Sequence, residues 1–530
     1  MASGKEQLNM VKKTLKSILI ALVVLTGISL ANVNTVYAET EVIEADGGIV
    51  TVEYLEEDIT KITVEPTGLI NYVDFMPQLY NSTVSKDYSE CYKEIHESIL
   101  NYKTEIDVSK WNIPTGEARD FFARFIHLYP DIFYINREYS YHSNGSIITK
   151  IEISFSMDQS EIQTKKKELD EALNNVIASV DTTGLNDLQK ALAYHDYLAA
   201  HTKYALQNNE YKKPLVNSVY GALVNNNTAC EGYSGAYKLI MDRLGIETYM
   251  VSSTKANHAW NIIKIDGNWY YVDVTHDDPT WDVLGRVFHT FFALGYNELL
   301  AIDSDRDDTI IFSSSTMDRE IAAENRLEDN VKSVLQSGVI PVNGKLYYIK
   351  STNSKDITIC EYDTTAKSET VIKSVTDNRN YSGGFRILAL YKGDLVYSDG
   401  KCVYAYSLAN KTEKTVYTMT DSDISGGYRI YGLGEKNNNK LYFTKYTSPN
   451  PRSDEEYIDI SYSNVTGSLK GDANGDGKIT SIDASEILKF LVGAGDIDAS
   501  CADVNGDGAV TSLDVVMILQ YLVGIIKEFK

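Results

Sequence analysis

Two twelve-residue stretches near the C-terminus restrict the fold of this chain more than any other feature. Asp472-Ala-Asn474-Gly-Asp476-Gly477-Lys478-Ile-Thr480-Ser-Ile-Asp483 places oxygen side chains at positions 1, 3, 5 and 12 and glycine at position 6. Asp503-Val-Asn505-Gly-Asp507-Gly508-Ala509-Val-Thr511-Ser-Leu-Asp514 repeats the pattern 31 residues later. Such a loop turns sharply at its glycine and wraps a hard cation in carboxylate and amide oxygens plus the backbone carbonyl at position 7. The expected ligands of two Ca2+ ions are therefore Asp472, Asn474, Asp476, Lys478 (carbonyl) and Asp483, and Asp503, Asn505, Asp507, Ala509 (carbonyl) and Asp514. One such loop could be a chance Asp/Asn/Gly turn, but two in matched register are not.

Each loop runs into an apolar helical stretch, Ile487–Gly493 and Ile518–Gly524, and no helical pattern precedes the first. The unit is thus loop–helix rather than helix–loop–helix, and position 12 is Asp where Glu is usual. With the duplication, these departures resemble the dockerin family over residues 466–530. The resemblance implies calcium-dependent folding and binding to a cohesin domain on a scaffold, as in cellulosomes. It also implies that Ser481, Ile482, Ser512 and Leu513 touch the cohesin. The near-identity of the halves suggests two binding orientations.

Residues Met1–Ala38 combine Lys5, Lys12, Lys13 and Lys16 with the apolar run Ile18–Leu30 and the small-residue ending Val36-Tyr37-Ala38. This is the pattern of a cleaved secretory signal. The net charge of −24 becomes −27 without that leader's four lysines and one glutamate. So acidic a chain is a poor ligand for nucleic acid or anionic membrane, and no later stretch is long and apolar enough to span a bilayer. The five cysteines (91, 230, 360, 402, 501) are far apart, odd in number and without C-x-x-C spacing, so a free thiol is expected.

Residues from Glu39 to about Val64 alternate as a β segment, and Ile147–Phe155 does so after the Asn144-Gly145 turn. Apolar residues at helical spacing predict helices over 157–180 and 186–203. His195 and His201, on the second of these, show no metal-like partners in the sequence and read as structural. Over 330–465 three similar pieces recur, with Leu346, Leu395 and Leu441 spaced 49 and 46 residues apart. That period suggests propeller-like blades or a β-sandwich.

Thr228-Ala-Cys230-Glu231 has the spacing of a capping box, which predicts a helix with Cys230 as its second residue and Gly245 as its stop. Backbone N–H groups and the helix dipole at such a start favour a thiolate. Asn257–Ile265 and Asn268–Thr275 alternate around Asp266-Gly267, a two-residue type I′ loop in which paired residue numbers sum to 533. His258 and Asp273 then lie diagonally on one face, roughly 7–8 Å apart at the backbone, within reach of each other's side chains. A thiol, a nearby base and a carboxylate that orients the base are the parts of a nucleophilic triad.

The Cys-x-Gly-Tyr helix start, the His-Ala-Trp-Asn strand and the Val-Asp-x-Thr strand end resemble the transglutaminase-like superfamily, over about residues 86–310. The resemblance implies an α+β fold with a papain-like/transglutaminase-like core. It implies Cys230 as nucleophile, His258 as general base and acid, and Asp273 as its orienter, with no cofactor for catalysis. His276 stands where bacterial members often carry Trp, which leaves the cleft wall open. The backbone N–H of Cys230 is a candidate oxyanion donor, and no second donor is assignable from the sequence.

The domain reading is a signal at 1–38, a β segment at 39–85, a catalytic domain at 86–325, a β-rich region at 326–465 and a dockerin at 466–530. The function expected is that of a secreted, scaffold-docked enzyme that opens amide bonds through a thioester, with hydrolysis of proteins or peptides favoured. Cross-linking transglutamination, peptide N-glycanase chemistry and a non-catalytic adhesion module are the alternatives.

Overall fold

The computed structural model describes the backbone of 39–45, 48–56 and 59–66. From 85 to 529 it describes all residues except 206–214, 254, 279–282, 308, 315–334, 352–355, 380–385, 437–439, 449–456, 461–469, 475–478, 495–496 and 498. The expected signal segment at 1–38, Asp476 and Lys478 lie outside the described residues. The chain divides into two units. One takes Met1–Ser179, Thr202–Thr275 and Phe291–Leu327, and the other Val180–His201, His276–Thr290 and Glu328–Lys530. Helix and sheet are mixed, as expected of an α+β protein.

In the first unit the alternating N-terminal stretch forms three antiparallel strands, Glu39–Ala45, Gly48–Glu56 and Ile59–Pro66. The third pairs with Ile135–Asn144, so these strands are the edge of a seven-stranded sheet that continues through Ile147–Phe155. The Asn144-Gly145 turn closes that hairpin, with Gly145 at φ +64° where a side chain would be strained. Ile148, Ile151 and Ile153 pack with Tyr92, Ile95 and Ile99 of helix Ser89–Leu100 and with Phe121 and Phe125 of helix Ala118–Leu128. The expected long helix is present as Gln159–Ser179, with Ile162, Leu169, Leu173 and Val176 buried along one face. The Asp158 carboxylate caps it by accepting from the Glu161 N–H at 2.9 Å.

A second sheet runs in the order Asn268–Val272, His258–Ile265, Thr248–Ser253, Ile310–Phe312. Asp266 and Gly267 take φ +49° and +83°, the positive values a type I′ turn demands. The register is the expected one, from Ile265↔Asn268 to Asn261↔Val272. Helix Cys230–Leu244 packs against this sheet, and Asn261 Nδ2 donates to the Ser234 carbonyl at 2.9 Å. Gly232 permits the close approach at the helix start, because a Cβ there would fall 1.7 Å from Thr228 Oγ1.

In the second unit, helix Asp187–His201 accompanies three consecutive antiparallel meanders built from 340–376, 388–418 and 429–460. Leu346, Leu395 and Leu441 occupy equivalent strands and are all buried, so the recurring sequence pieces are recurring structural pieces. Ile349, Ile359, Leu395 and Tyr397 join the first two meanders, and Val396, Val403, Leu433 and Phe443 the last two. Further along, helices Ser481–Leu491 and Ser512–Leu522 are each capped by reciprocal bonds, Thr480 with Asp483 and Thr511 with Asp514. Their shared core holds Ala473, Ala484 and Ile487 from one half and Val504, Val515 and Ile518 from the other, each pair 31 residues apart. Each buried isoleucine contributes about 2 kcal/mol.

Candidate active site

Cys230 is the first residue of its helix rather than the second, and the expected capping box does not form. Thr228 is buried in a short parallel bridge between Asn227–Thr228 and Lys203–Tyr204, where its hydroxyl donates to the Val216 carbonyl at 2.6 Å. Glu231 turns away from the N-cap, accepts from Asn217 Nδ2 at 3.1 Å and lies 3.6 Å from His127 Nε2. Tertiary partners thus outcompete the local cap. Ala229 begins the helix from an extended conformation without a side-chain cap.

The thiol of Cys230 is buried against Ala259. Burial first, and then the Glu231 carboxylate, push its pKa up to about 12, with Asp273 adding to the rise. Hydrogen bonds from the backbone N–H groups of Ala259 and Glu231 pull the other way. The helix start, expected to favour a thiolate, is opposed here by burial of the sulfur. A helix dipole supplies about 0.3–1 kcal/mol, less than the loss of solvation costs this sulfur. A thiolate in this position needs a cationic partner.

His258 opens the central strand, paired across the sheet with Ser253. The hairpin ladder stops at Val272, and Asp273 follows it with its N–H on the Phe291 carbonyl at 3.1 Å. The pairing expected to continue through Asp273 to Thr275 is not formed, because Val274–Asp277 turns into a helix, yet His258 Nε2 and Asp273 Oδ2 still lie 2.9 Å apart. With Nε2 committed to Asp273, proton exchange with a nearby thiol falls to Nδ1. Trp260 stacks parallel to the His258 ring at 5.8 Å.

Two residues of this neighbourhood had no signal in the sequence. Arg306, fully buried, donates from Nη2 to Asp273 Oδ2 at 2.7 Å. The Tyr204 phenol has a raised pKa, through burial and then through the charges of Cys230 and Asp273. Both come from segments remote in sequence and carry no motif. His276 is exposed.

His195 has partners with metal-like spacing after all, which corrects the expectation that it has none. Its Nδ1 lies 2.8 Å from Asp196 Oδ1 and its Nε2 3.2 Å from Asp277 Oδ2. His289 Nε2 lies 2.9 Å from the same Asp196 oxygen, while the Val339 N–H donates to Asp196 Oδ2 at 2.7 Å. His195, Asp196 and His289 bring ligand atoms within 4.8 Å of one another, a spacing that could hold a metal. Both ring nitrogens of His195 are already used within the group, so it reads as a buried ion-pair network. Burial lowers the His195 pKa, but Asp196 and Asp277 more than offset this and hold it up to about 9.

A pKa raised on folding, from 6.5 to about 9, contributes stability that is fully present below pH 6.5 and lost as pH rises through about 9. The size is about 3 kcal/mol. Thermal midpoints measured across that window should therefore fall with rising pH, and His195→Gln should remove this slope. His201, by contrast, only bonds the Tyr197 carbonyl, at 2.7 Å.

In the C-terminal loops, Asp472, Asp483 and Asp514 are buried. Asp503 accepts from the N–H groups of Gly506, Asp507 and Gly508, and Gly508 makes the sharp turn at φ +87°. Buried carboxylates beside a sharp glycine turn are donors of the kind that a hard cation such as Ca2+ takes. Ser481, Ser512 and Leu513 are exposed and Ile482 is partly so. They adjoin an apolar surface formed by Leu488, Leu491, Leu519 and Leu522, each at least 40% exposed.

Comparison with known proteins agrees with this layout. The model of the transglutaminase-like superfamily matches residues 174–274, which include Cys230, His258 and Asp273, and that of the dockerin type I domain matches 470–523. The kyphoscoliosis peptidase of Homo sapiens is 25% identical over 149 residues, 26% of this chain and 21% of that protein. Its Mus musculus counterpart is 22% identical over 149 residues, 25% of this chain and 22% of that protein. The chain thus spans about a fifth of the length of these relatives. A solved structure described as a crystal structure of a TGase is 17% identical, covering 27% of this chain and 43% of that one with a TM-score of 0.19. No helix among the described residues is long and apolar enough to cross a membrane. The chain carries a transglutaminase-like domain and, near its C-terminus, a type I dockerin domain.

Proposed function

We propose that this is a secreted, scaffold-docked cysteine enzyme that opens amide bonds in proteins or peptides through a thioester, with water as the acceptor. The observation that carries the reading is the 2.9 Å contact of His258 Nε2 with Asp273, at a strand start beside the helix that begins with Cys230. His258 Nδ1 takes the thiol proton, and Asp273 holds the ring and stabilises the imidazolium. The thiolate adds to the carbonyl carbon, with the Cys230 N–H as a donor to the oxyanion. His258 then protonates the leaving amine, and the thioester remains. Water, activated by His258, releases the acid. The name of the curated relatives, peptidase, agrees with hydrolysis.

Through the dockerin, with Ca2+ held by the two loops, the enzyme joins a cohesin-bearing extracellular complex. Ser481, Ile482, Ser512 and Leu513 form its contact with the cohesin. Incubating wild type and Cys230→Ala with a peptide mixture, with and without an added primary amine, separates the outcomes. New carboxyl termini absent from the variant support the peptidase reading. Amine-adduct masses instead identify a transglutaminase, Asn-to-Asp conversion of glycopeptides identifies a glycanase, and identical products from both proteins refute catalysis by Cys230.

A further inference from the structure

The Asp273 carboxylate serves two donors on a single oxygen. Oδ2 lies 2.9 Å from His258 Nε2 and accepts from Arg306 Nη2 at 2.7 Å. Arg306 is wholly buried, and its Nε donates to Asp303 Oδ2 at 3.1 Å. Its guanidinium carbon lies 4.4 Å from the Trp260 ring centre and 4.7 Å from that of Phe291. Trp260 in turn stacks on His258. The short turn Ser304–Arg306 is pinned from both sides, with Ser253 Oγ on the Asp305 carbonyl at 2.7 Å and Thr309 Oγ1 on the Arg306 carbonyl at 2.5 Å. Ser253 is the residue paired across the sheet with His258, so guanidinium and imidazole are referenced to one piece of backbone.

We propose that Arg306 is a positioning residue that sets the protonation of the His258–Asp273 pair. The proposal rests on the reading of Cys230, His258 and Asp273 as a triad. A buried carboxylate facing only an imidazole binds the shared proton tightly, because that proton is the only positive charge available to it. A fixed cation on the same oxygen weakens that hold. Asp273 then stays ionised and His258 can release its proton to a leaving amine near neutral pH. The titratable groups around the His258–Asp273 pair are Cys230 and Glu231 on the helix, Tyr204 on the neighbouring bridge, Asp303 behind Arg306, and His276 three residues along the chain from Asp273. Among these and Arg306, Arg306 alone holds a permanent positive charge. Lysine keeps that charge but not the planar fork that fits between two aromatic rings.

The test follows the His258 ring nitrogens by NMR in the full-length chain labelled with 15N-histidine, in a Cys230→Ala background where no catalysis intervenes. Arg306→Met should raise the apparent pKa of the pair by roughly 1–2 units, and Arg306→Lys by less than half as much. Asp303→Asn, which leaves Arg306 and its aromatic stack in place, should lower it by a smaller amount. With Cys230 present, the pH profile of its alkylation should move in the same directions. An unmoved His258 titration in Arg306→Met, whatever its thermal midpoint, reduces Arg306 to a structural role and overturns the proposal. An equal displacement in Arg306→Lys does so too, since charge would not be the cause. Should Arg306→Met fail to fold, the absence of a downward shift in Asp303→Asn decides against it. The two readings fail separately. Alkylation of wild-type Cys230 that ignores His258 refutes the triad, while a His258 titration that still follows Arg306 upholds the coupling.

Discussion

Alkylation of Cys230 by iodoacetamide should be rapid near pH 7 in the wild type and about 10³-fold slower or more in His258→Ala. The argument rests on the solvation of the sulfur. Burial and Glu231 push the thiol up to about 12, so without a proton acceptor it stays protonated at pH 7. Only an imidazolium formed beside it can reverse that balance, and the orientation of His258 on Asp273 leaves Nδ1 for the task. Asp273→Asn should slow turnover by about 10²–10⁴-fold, because the amide can hold the wrong imidazole tautomer. Cys230→Ala removes one small buried atom and should leave the thermal midpoint close to that of wild type. A wild-type thiol with ordinary reactivity, indifferent to the His258 substitution, would sink the catalytic reading.

Chelation with EDTA should abolish cohesin binding, by about 10²-fold or more, and melt helices Ser481–Leu491 and Ser512–Leu522. Asp472, Asp483 and Asp514 are buried carboxylates, and burying like charges without a cation costs several kcal/mol. The expected ligands are also continuous with the core, since Ala473 follows Asp472, Val504 follows Asp503, and both are fully buried. Losing the ion therefore loosens the packing that aligns the helices. Surface plasmon resonance against a panel of immobilised type I cohesins, with Ca2+ and with EDTA, reads the first effect, and far-UV circular dichroism the second. Binding that survives EDTA counts against a calcium-built docking surface. If the pseudo-symmetric halves bind interchangeably, substitutions at Ser481–Ile482 or Ser512–Leu513 alone should be tolerated and the combination should not.

Much of this was legible where a short-range pattern and the tertiary structure ask for the same thing. The Asp266-Gly267 turn admits one register, observed from Ile265↔Asn268 to Asn261↔Val272, and His258 and Asp273 meet just beyond its end. The 31-residue repeat anticipated both loop–helix halves down to the matched core pairs. Leu346, Leu395 and Leu441 marked the three meanders, because a buried position on equivalent strands imposes the same residue each time.

Reading failed where a local signal met a stronger distant partner. Thr228-Ala-Cys230-Glu231 has the letters of a capping box. Yet the Val216 carbonyl takes the hydroxyl, and Asn217 and His127 draw the carboxylate, all from outside the helix. His195 showed no metal-like partner in the sequence because Asp277, which bonds it, and His289, which bonds the neighbouring Asp196, lie 82 and 94 residues away.

The duplicated loop pattern was legible in the sequence alone, since every expected ligand lies within twelve residues. What surrounds Cys230 was decided only in three dimensions. The degree of burial, the closeness of Glu231 and the arrival of Arg306 on Asp273 depend on chain segments with no local pattern in common. Charges act through space and desolvation acts through packing, and neither leaves a period in the sequence.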